Sequence, residues 1–508
     1  MKPKLASRLH LLLLLLSVVI PLCFLFNNLS RFSSLPLVLS VLLIITLAGV
    51  FITAPSLQQS IKHHARAPLS AQNFTPIIIS ATLILATSIR LFFFFRFSYA
   101  PTSDPMYFFD SAQSLALGQG FGDNTFSVAF FPYLAAYSNI LNLAMRIVSD
   151  PWLATILLNS AIDIAGATIL YFFIKKLSKP ESKLPILGFA IWVLNPFNII
   201  FSILSLPIII VNFFIVATIF LTYLLAEKVK TLVITQSLLL AITLGLTIGF
   251  GNMFRPIFAI TLIALFIYFA YILLTNPWAN KLFTLAGFSF AIIVGLYFSL
   301  QYANFAFVSH QTGISAARDS SGWSIFVGAN HHHTGRWNES DTRARAEICD
   351  GIFIKAIDND KCHRQLRDAG IARYENLGTI NTVRLLRDKL RVFTSTQNYM
   401  YNARDSIIDF NGSQTSRLIS TSILAYVITI SLLTIYALAK LIKDTFLTRK
   451  ITPITIFILL LMLGFFFSSM FVEAAHRYAQ IMYPYFIIFA VLSLSSSRDS
   501  NAIPSVPQ

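Results

Sequence analysis

The chain carries uninterrupted apolar runs of about twenty residues, the length a helix needs to cross a bilayer core about 30 Å thick. Twelve such runs are readable, at 9–26, 35–54, 74–96, 152–174, 184–203, 206–226, 231–251, 256–275, 284–304, 418–439, 451–472 and 479–496. In lipid each backbone polar group must be bonded internally, so runs of this length are helices. The residue-by-residue alternation of a barrel strand is not visible in them. Composition agrees: 56% of the 508 residues are hydrophobic and only 12% are charged, against about 25% charged in soluble chains. Those figures exclude a soluble globular protein, a disordered chain and a disulfide-rich secreted module. The expectation is an all-α polytopic membrane protein of about twelve transmembrane helices. The first run follows Lys2, Lys4 and Arg8, as a signal peptide would. It is long and lacks a small-x-small cleavage site, so it reads as a retained anchor.

The charges set an orientation. With the N-terminus cytoplasmic, the segments on the inner side hold 17 Lys and Arg against four acids, Glu181, Glu227, Asp444 and Asp499. Short outer loops hold Asp104, Asp110, Asp123, Asp150 and Glu473. This is the positive-inside pattern. The net charge of +16 therefore reports topology, and no nucleic-acid partner is implied. Both termini are expected in the cytoplasm.

Two outer segments are too long for turns, 97–151 and 305–417. The second has 15 Lys/Arg and 12 Asp/Glu, close to a soluble composition, with Trp323, Phe326, Trp337, Ile348, Phe353 and Tyr374 as a candidate core. A helix is expected from about 361 to 392. Cys349 and Cys362 share this segment in an oxidising compartment. They are expected to form a disulfide, worth roughly 3 kcal/mol of loop-closure entropy; two unpaired thiols are the alternative. Cys23 sits in a membrane run, and no CxxC suggests zinc or redox chemistry.

The sharpest local signal is S-D-P-M-Y-F-F-D-S-A-Q-S-L-A-L-G-Q-G at 103–120. Asp104 follows the run 74–96 by about eight residues, at the outer membrane surface. Pro105 suits the first turn of a new helix, which Asp104 or Ser103 would cap and Gly118 and Gly120 would end. Asp104 as a plain helix cap is the alternative to a catalytic role.

This motif resembles the first external loop of the GT-C glycosyltransferases, in the protein-mannosyltransferase and aminoarabinose-transferase-like branch. Three further stretches resemble the same family: G-F-G-N-M-F-R-P at 249–256, S-G-W-S-I-F-V-G-A-N-H-H-H-T-G-R-W-N at 321–338, and H-R-Y-A-Q-I-M-Y-P-Y at 476–485. With 74–96 as core helix one, seven core helices precede the long loop, as in the family. The resemblance implies a division into two extra N-terminal helices (1–73), a seven-helix core (74–304) with its catalytic loop 97–151, an external domain (305–417), C-terminal helices (418–496) and a disordered tail (497–508). It departs from the family at Asp104–Pro105, where many members have Asp-Glu, and at Ser205, Leu206 and Pro207, where many have an acid. No second acid or metal ligand is therefore carried over.

The resemblance implies transfer of a monosaccharide from a polyprenyl-phosphate carrier to a glycan, lipid or protein acceptor on the non-cytoplasmic face. A bacterial inner membrane is the expected location, with its lipids as the surrounding partner. Sugar transfer passes through an oxocarbenium-like state, which a carboxylate can serve as base or stabiliser, and Asp104 is the candidate. The lipid-phosphate leaving group calls for cationic donors. Arg255, Arg477 and, less strongly, His476 are the candidates; snorkelling to the headgroups is the alternative for both arginines. Tyr107, Asn330, Trp337 and Tyr478 are candidate substrate contacts. No metal site is expected, since His331, His332 and His333 are consecutive and converge poorly on one ion. No cofactor is called for, although a divalent metal at the phosphate is compatible with the chemistry. Asp163 lies inside an apolar run and Arg90 in the run before it in sequence, an expected structural ion pair. Two other classes fit part of the pattern: an O-antigen-ligase-like transferase, and a lipid or sugar flippase. Transporters typically show broken helices and repeated halves.

Overall fold

The computed structural model describes residues 3–29, 74–180, 182–275, 279–349, 358–396, 400–448 and 451–494. The run at 35–54, Phe353 and the tail 497–508 lie outside the described residues. Among the described residues the fold is all-helical apart from one ribbon of two-residue strands, Ser98–Tyr99 and Ile407–Ile408, antiparallel with Ser98 opposite Ile408.

Eight described helices are long and apolar enough to cross a membrane, or nine if one bent pair counts as a span. Three of the expected runs differ for reasons of backbone chemistry. The run at 184–203 breaks into Leu184–Val193 and Pro196–Ser202, which meet at 46°. Pro196 has no N–H to continue a helix, and Asn195 Oδ1 accepts from the Phe197 amide at 3.0 Å to start the second piece. The run at 256–275 yields only Ala259–Thr275, because Arg255 is extended and Pro256 follows it. The run at 479–496 yields Tyr483–Ser493, after a 3-10 turn at His476–Met482. An apolar run counts residues and is blind to such breaks.

The break at 193–196 frees backbone groups deep in the bundle, and polar side chains close it. Arg90 Nη2 lies 2.5 Å from Asp163 Oδ2, with both side chains at most 2% exposed. Trp192 Nε1 and Asn198 Nδ2 each donate to Asp163 Oδ1 at 2.8 Å. Arg90 also donates to Ser202 Oγ at 2.9 Å and to the Val193 carbonyl at 3.5 Å. A charge without such partners would be costly in lipid.

The N-terminal helix Pro3–Leu29 packs against Gln414–Thr448 and Pro453–Phe471. Its buried Asn28 donates to the Thr394 carbonyl at 2.9 Å and accepts from Thr396 Oγ1 at 2.8 Å.

Beyond the spans, segment 97–151 folds into Ser103–Ala116, Thr125–Phe130 and Tyr133–Ile147. The polar segment 305–417 contributes Ser321–Gly328, Glu339–Ile348 and the long helix Asn359–Thr394, interrupted by Gly378 at φ 66°. Trp323, Phe326, Val327, Leu366 and the Cys349–Cys362 disulfide form a small core that also takes in Phe130 from the first segment. His363 joins the two segments, its ring stacked on Phe130 at 4.1 Å and its Nε2 3.0 Å from the Phe130 carbonyl. Burial pushes that imidazole down to about 4, so it is neutral at pH 7. Trp337 is not part of this core: it is 58% exposed on the loop before Glu339–Ile348.

Candidate active site

The helix Ser103–Ala116 begins at a clamped corner. Ser103 has a left-handed backbone, φ 57°, which is strained for a residue with a Cβ. Neighbours hold it there. The Ser406 carbonyl accepts the Ala100 amide at 2.9 Å, and Ser406 Oγ accepts the Thr102 amide at 3.2 Å. Ser205 Oγ donates to the Pro105 carbonyl at 2.7 Å and accepts from the Tyr99 hydroxyl at 2.8 Å. The Tyr99 ring stacks on Trp152 at 5.3 Å. Ser205 thus serves as a fastener for the Asp104 turn.

Asp104 itself does not cap the helix. Thr102 occupies the cap position, with no side-chain cap bond. Asp104 Oδ2 instead lies 2.5 Å from Arg477 Nη2, with Asp104 38% and Arg477 21% exposed. Gly118 and Gly120 do follow the helix end, at φ 76° and 64°. Arg477 is presented by the 3-10 turn His476–Met482 and lies 3.4 Å from the Tyr478 hydroxyl. That hydroxyl donates to Glu473 Oε2 at 3.2 Å. Arg255 completes the group, its guanidinium 3.9 Å from the centre of the Tyr478 ring, a close cation–π contact.

Local sequence explains how Arg255 reaches this place. It follows Ile234–Phe254 in extended conformation. Asn252 accepts from the Phe258 amide at 3.1 Å and donates to Gln301 Oε1 at 2.8 Å, so the turn after the helix is held from two sides. A Cβ at Gly251 would come within 2.7 Å of the Phe258 ring, and only glycine leaves that ring room.

Three further residues border the site, of which only Glu473 is visible in the sequence, as an outer-loop acid without an assigned role. Glu473 supplies a carboxylate to the cluster from the far end of the chain. Burial raises its carboxyl above the ordinary range, with Arg477 pulling the other way and Asp104 adding to the rise. Tyr133, at the start of Tyr133–Ile147, is within electrostatic reach of Tyr478, Arg255, Asp104 and Glu473, and its hydroxyl is pushed well up, chiefly by burial. Arg477 stays firmly charged: burial opposes the charge, but Asp104, Tyr478 and Glu473 outweigh it.

The third is Lys389, fully buried on Asn359–Thr394. Its ammonium donates to the Gly328 carbonyl at 3.1 Å and to the Tyr374 hydroxyl at 3.2 Å. Tyr374 donates to the Phe471 carbonyl at 3.0 Å, and the Ala474 amide donates to the Gly335 carbonyl at 2.7 Å. These bonds tie the polar segment to the loop carrying Glu473. Burial lowers Lys389 to about 7, against a smaller upward pull from Glu473. A lysine lowered from its usual 10.5 penalises the folded state while charged. That penalty is complete below pH 7 and fades as pH rises toward 10.5. Thermal melts of Lys389→Met and the parent should therefore differ by an amount that shifts by up to a few kcal/mol between about pH 6.5 and about pH 10, the parent gaining relative to the variant. A pH-independent difference would show that Lys389 titrates normally.

The other sequence candidates lie apart or stay secondary. His476 is buried one residue before Arg477. Tyr107 is partly exposed, and its carbonyl accepts a long 3.5 Å bond from Asn124. Asn330 is held in the polar segment by both oxygens of Asp341, at 3.0 Å. Among the described residues no group of three or more His, Cys, Asp or Glu side chains is placed to hold a metal.

The arrangement places two cations beside a carboxylate. Two guanidiniums lie on one tyrosine ring, Arg255 and Arg477 on Tyr478. Such a pair can bind a phosphate, and a partly exposed carboxylate next to it can take a proton. No family model matches the chain, and no curated protein matches it. Among solved structures, the chain is similar to the oligosaccharyltransferase of Archaeoglobus fulgidus, in a crystal structure where it is tethered by a disulfide bond to an acceptor peptide containing the NVT sequon. The similarity has 13% identity and a TM-score of 0.45, and covers 82% of this chain and 49% of that one, so this chain spans about half the length of that protein.

Proposed function

We propose that this protein is a membrane glycosyltransferase of the GT-C kind, moving one sugar from a polyprenyl-phosphate carrier to an acceptor at the outer membrane face. The observation that carries this reading is the Asp104–Arg477 pair, with Arg255 stacked beside it on Tyr478. Before the donor binds, Asp104 neutralises Arg477. The donor phosphate, held by Arg255, takes Arg477 as its second cation and frees the Asp104 carboxylate. The acceptor hydroxyl then attacks the anomeric carbon and its proton passes to Asp104. The bond from that carbon to the phosphate oxygen breaks, with its electron pair left on the phosphate, where the two guanidiniums spread the charge. Cations that meet charge developing on the leaving group act on the transition state more than on the ground state.

The flippase reading draws on one observation, the bent pair Leu184–Val193 and Pro196–Ser202 beside a buried acid. That acid is already bonded by Arg90, Trp192 and Asn198, which leaves little for a transported ion to coordinate. The test is lipid and glycan profiling of cells with the gene, without it, and carrying only Asp104→Asn. Transfer predicts one sugar missing from an acceptor and a build-up of polyprenyl-phosphate sugar in both deficient strains. Carrier-linked glycan trapped on the cytoplasmic leaflet would indicate a flippase, and unchanged profiles would remove the transferase reading.

A further inference from the structure

A pocket of about 500 Å³ opens on the polar segment, lined by none of the Asp104 cluster residues, within the size range of small-molecule sites. Its back wall is a locked ion pair. Asp341, 1% exposed, accepts from Arg373 Nη1 at 2.8 Å, from Asn338 Nδ2 at 2.7 Å and from Asn330 Nδ2. Arg373 lies 3.5 Å from the centre of the Phe326 ring and donates to the Phe326 carbonyl at 2.9 Å. The two charges cancel, and their geometry is set without any ligand.

The front of the pocket is different. Asn376, His331 and His332 line it and are exposed. An amide and a neutral imidazole each donate and accept hydrogen bonds. Ala344 and Leu377 add an apolar surface. A sugar ring matches this mixture, because its hydroxyls also donate and accept and its C–H faces are apolar. A phosphate would find a guanidinium neutralised by an Asp341 that is buried and pinned by Asn330 and Asn338, so this pair, unlike the partly exposed Asp104–Arg477 pair, has no freedom to open. A peptide bound by strand addition would need a sheet edge, and the described residues around this pocket form helices and turns.

Position adds to the argument. Tyr374, next to Arg373, reaches the Phe471 carbonyl, two residues before Glu473. Gly328, next to the pocket-lining Ala329, shares its carbonyl with Tyr374 and Lys389. Tyr374 and Lys389 therefore link the pocket-bearing stretch of Asn359–Thr394 to the segment that leads into the Glu473 turn. We propose that this pocket binds a neutral saccharide, the glycan portion of the acceptor, and holds it beside the transfer site. The role as acceptor site rests on the glycosyltransferase reading; saccharide binding by itself does not.

The full chain in lipid nanodiscs is titrated with mannobiose, cellobiose and chitobiose, with inorganic phosphate and an unglycosylated nonapeptide as controls, by saturation-transfer NMR. At least one disaccharide is expected to bind. Asn376→Ala and His332→Ala, both at exposed positions that folding tolerates, should each weaken that binding by about three- to tenfold, the worth of one lost hydrogen bond. Asp104→Asn should leave it unchanged. Binding of none of the three, equal binding in both pocket variants, or preferred binding of phosphate or peptide in a manner lost with Asn376→Ala would overturn the proposal. Disaccharide binding that survives alongside unchanged cell profiles would keep the pocket and discard the transfer reading.

Discussion

Asp104→Asn should leave the protein folded and lower sugar transfer by roughly 10²–10⁴-fold, the usual effect of removing a general base. Asparagine keeps the size of the side chain and one oxygen, and the turn that carries it is held by Ser205 and Ser406 through bonds to neighbouring residues. Its own side chain makes no cap bond to lose. What disappears is the charge facing Arg477. The guanidinium then has Glu473 and the Tyr478 hydroxyl as its remaining neighbours. Donor affinity is thus expected to hold or rise while turnover collapses, a split that a folding defect would not produce. Arg477→Ala and Arg255→Ala should show the opposite split, with weaker donor binding. Lysine should rescue only in part, because it lacks the two-pronged donor geometry. The measurements are transfer rate and donor affinity on purified protein of matched thermal stability. Near-normal transfer by Asp104→Asn would end its catalytic assignment.

Asp163→Leu should cost about 3–5 kcal/mol of stability, the range for removing one partner of a buried pair. The loss leaves the Arg90 charge in the bundle and takes the carboxylate from Trp192 and Asn198, which keep only their longer bonds to the Asp163 and Trp192 carbonyls. Arg90→Met combined with Asp163→Leu should recover much of this, since no charge is then stranded. Thermal unfolding in one detergent, read for the single and double variants, gives the comparison. A double variant as unstable as the single would mean that the hydrogen bonds across the helix break, not the charge pairing, dominate. Transfer by the folded double variant should persist, whereas a carrier using Asp163 for ion coupling would lose its activity.

Much of the helical frame was legible from run length, because a bilayer imposes one length on every crossing element. The miscounted runs show the limit. Asn195–Pro196 and Arg255–Pro256 each interrupt a helix while leaving the hydropathy high, and an average over twenty residues cannot register one missing N–H. The last run fails in the same way, since its first residues wind as a 3-10 turn and the α-helix starts only at Tyr483, with Pro484 in its first turn.

The site was legible in part. Asp104, Arg255 and Arg477 each follow or precede an apolar run on the same side, so a common depth could be read from the sequence, and the structure gathers all three around Tyr478. Glu473 could be read as an outer-loop acid four residues before Arg477, but not as a member of the site. Tyr133 and Lys389 owe their places to packing between segments far apart in the chain, and nothing local distinguishes Lys389 from the other basic residues of its helix. Ser205 was read only as a missing acid, and its bond to the Pro105 carbonyl depends on a meeting of residues a hundred positions apart. Trp337 was misread because an aromatic residue in a mixed segment suggests a core, while the loop in fact turns it outward.

The amides of Asn27 and Asn28 bear on how the chain is made. Their partners are Arg391, Thr394 and Thr396, more than 360 positions later. The helix Pro3–Leu29 thus leaves the ribosome long before its polar groups can be satisfied, and through most of synthesis it sits in lipid with two amides that lack their final partners. Contacts of such long sequence separation form slowly. Assembly of the bundle should therefore finish only after the helix Gln414–Thr448 has been inserted, and a chain halted before residue 391 would expose a polar stripe to the quality-control machinery of its membrane.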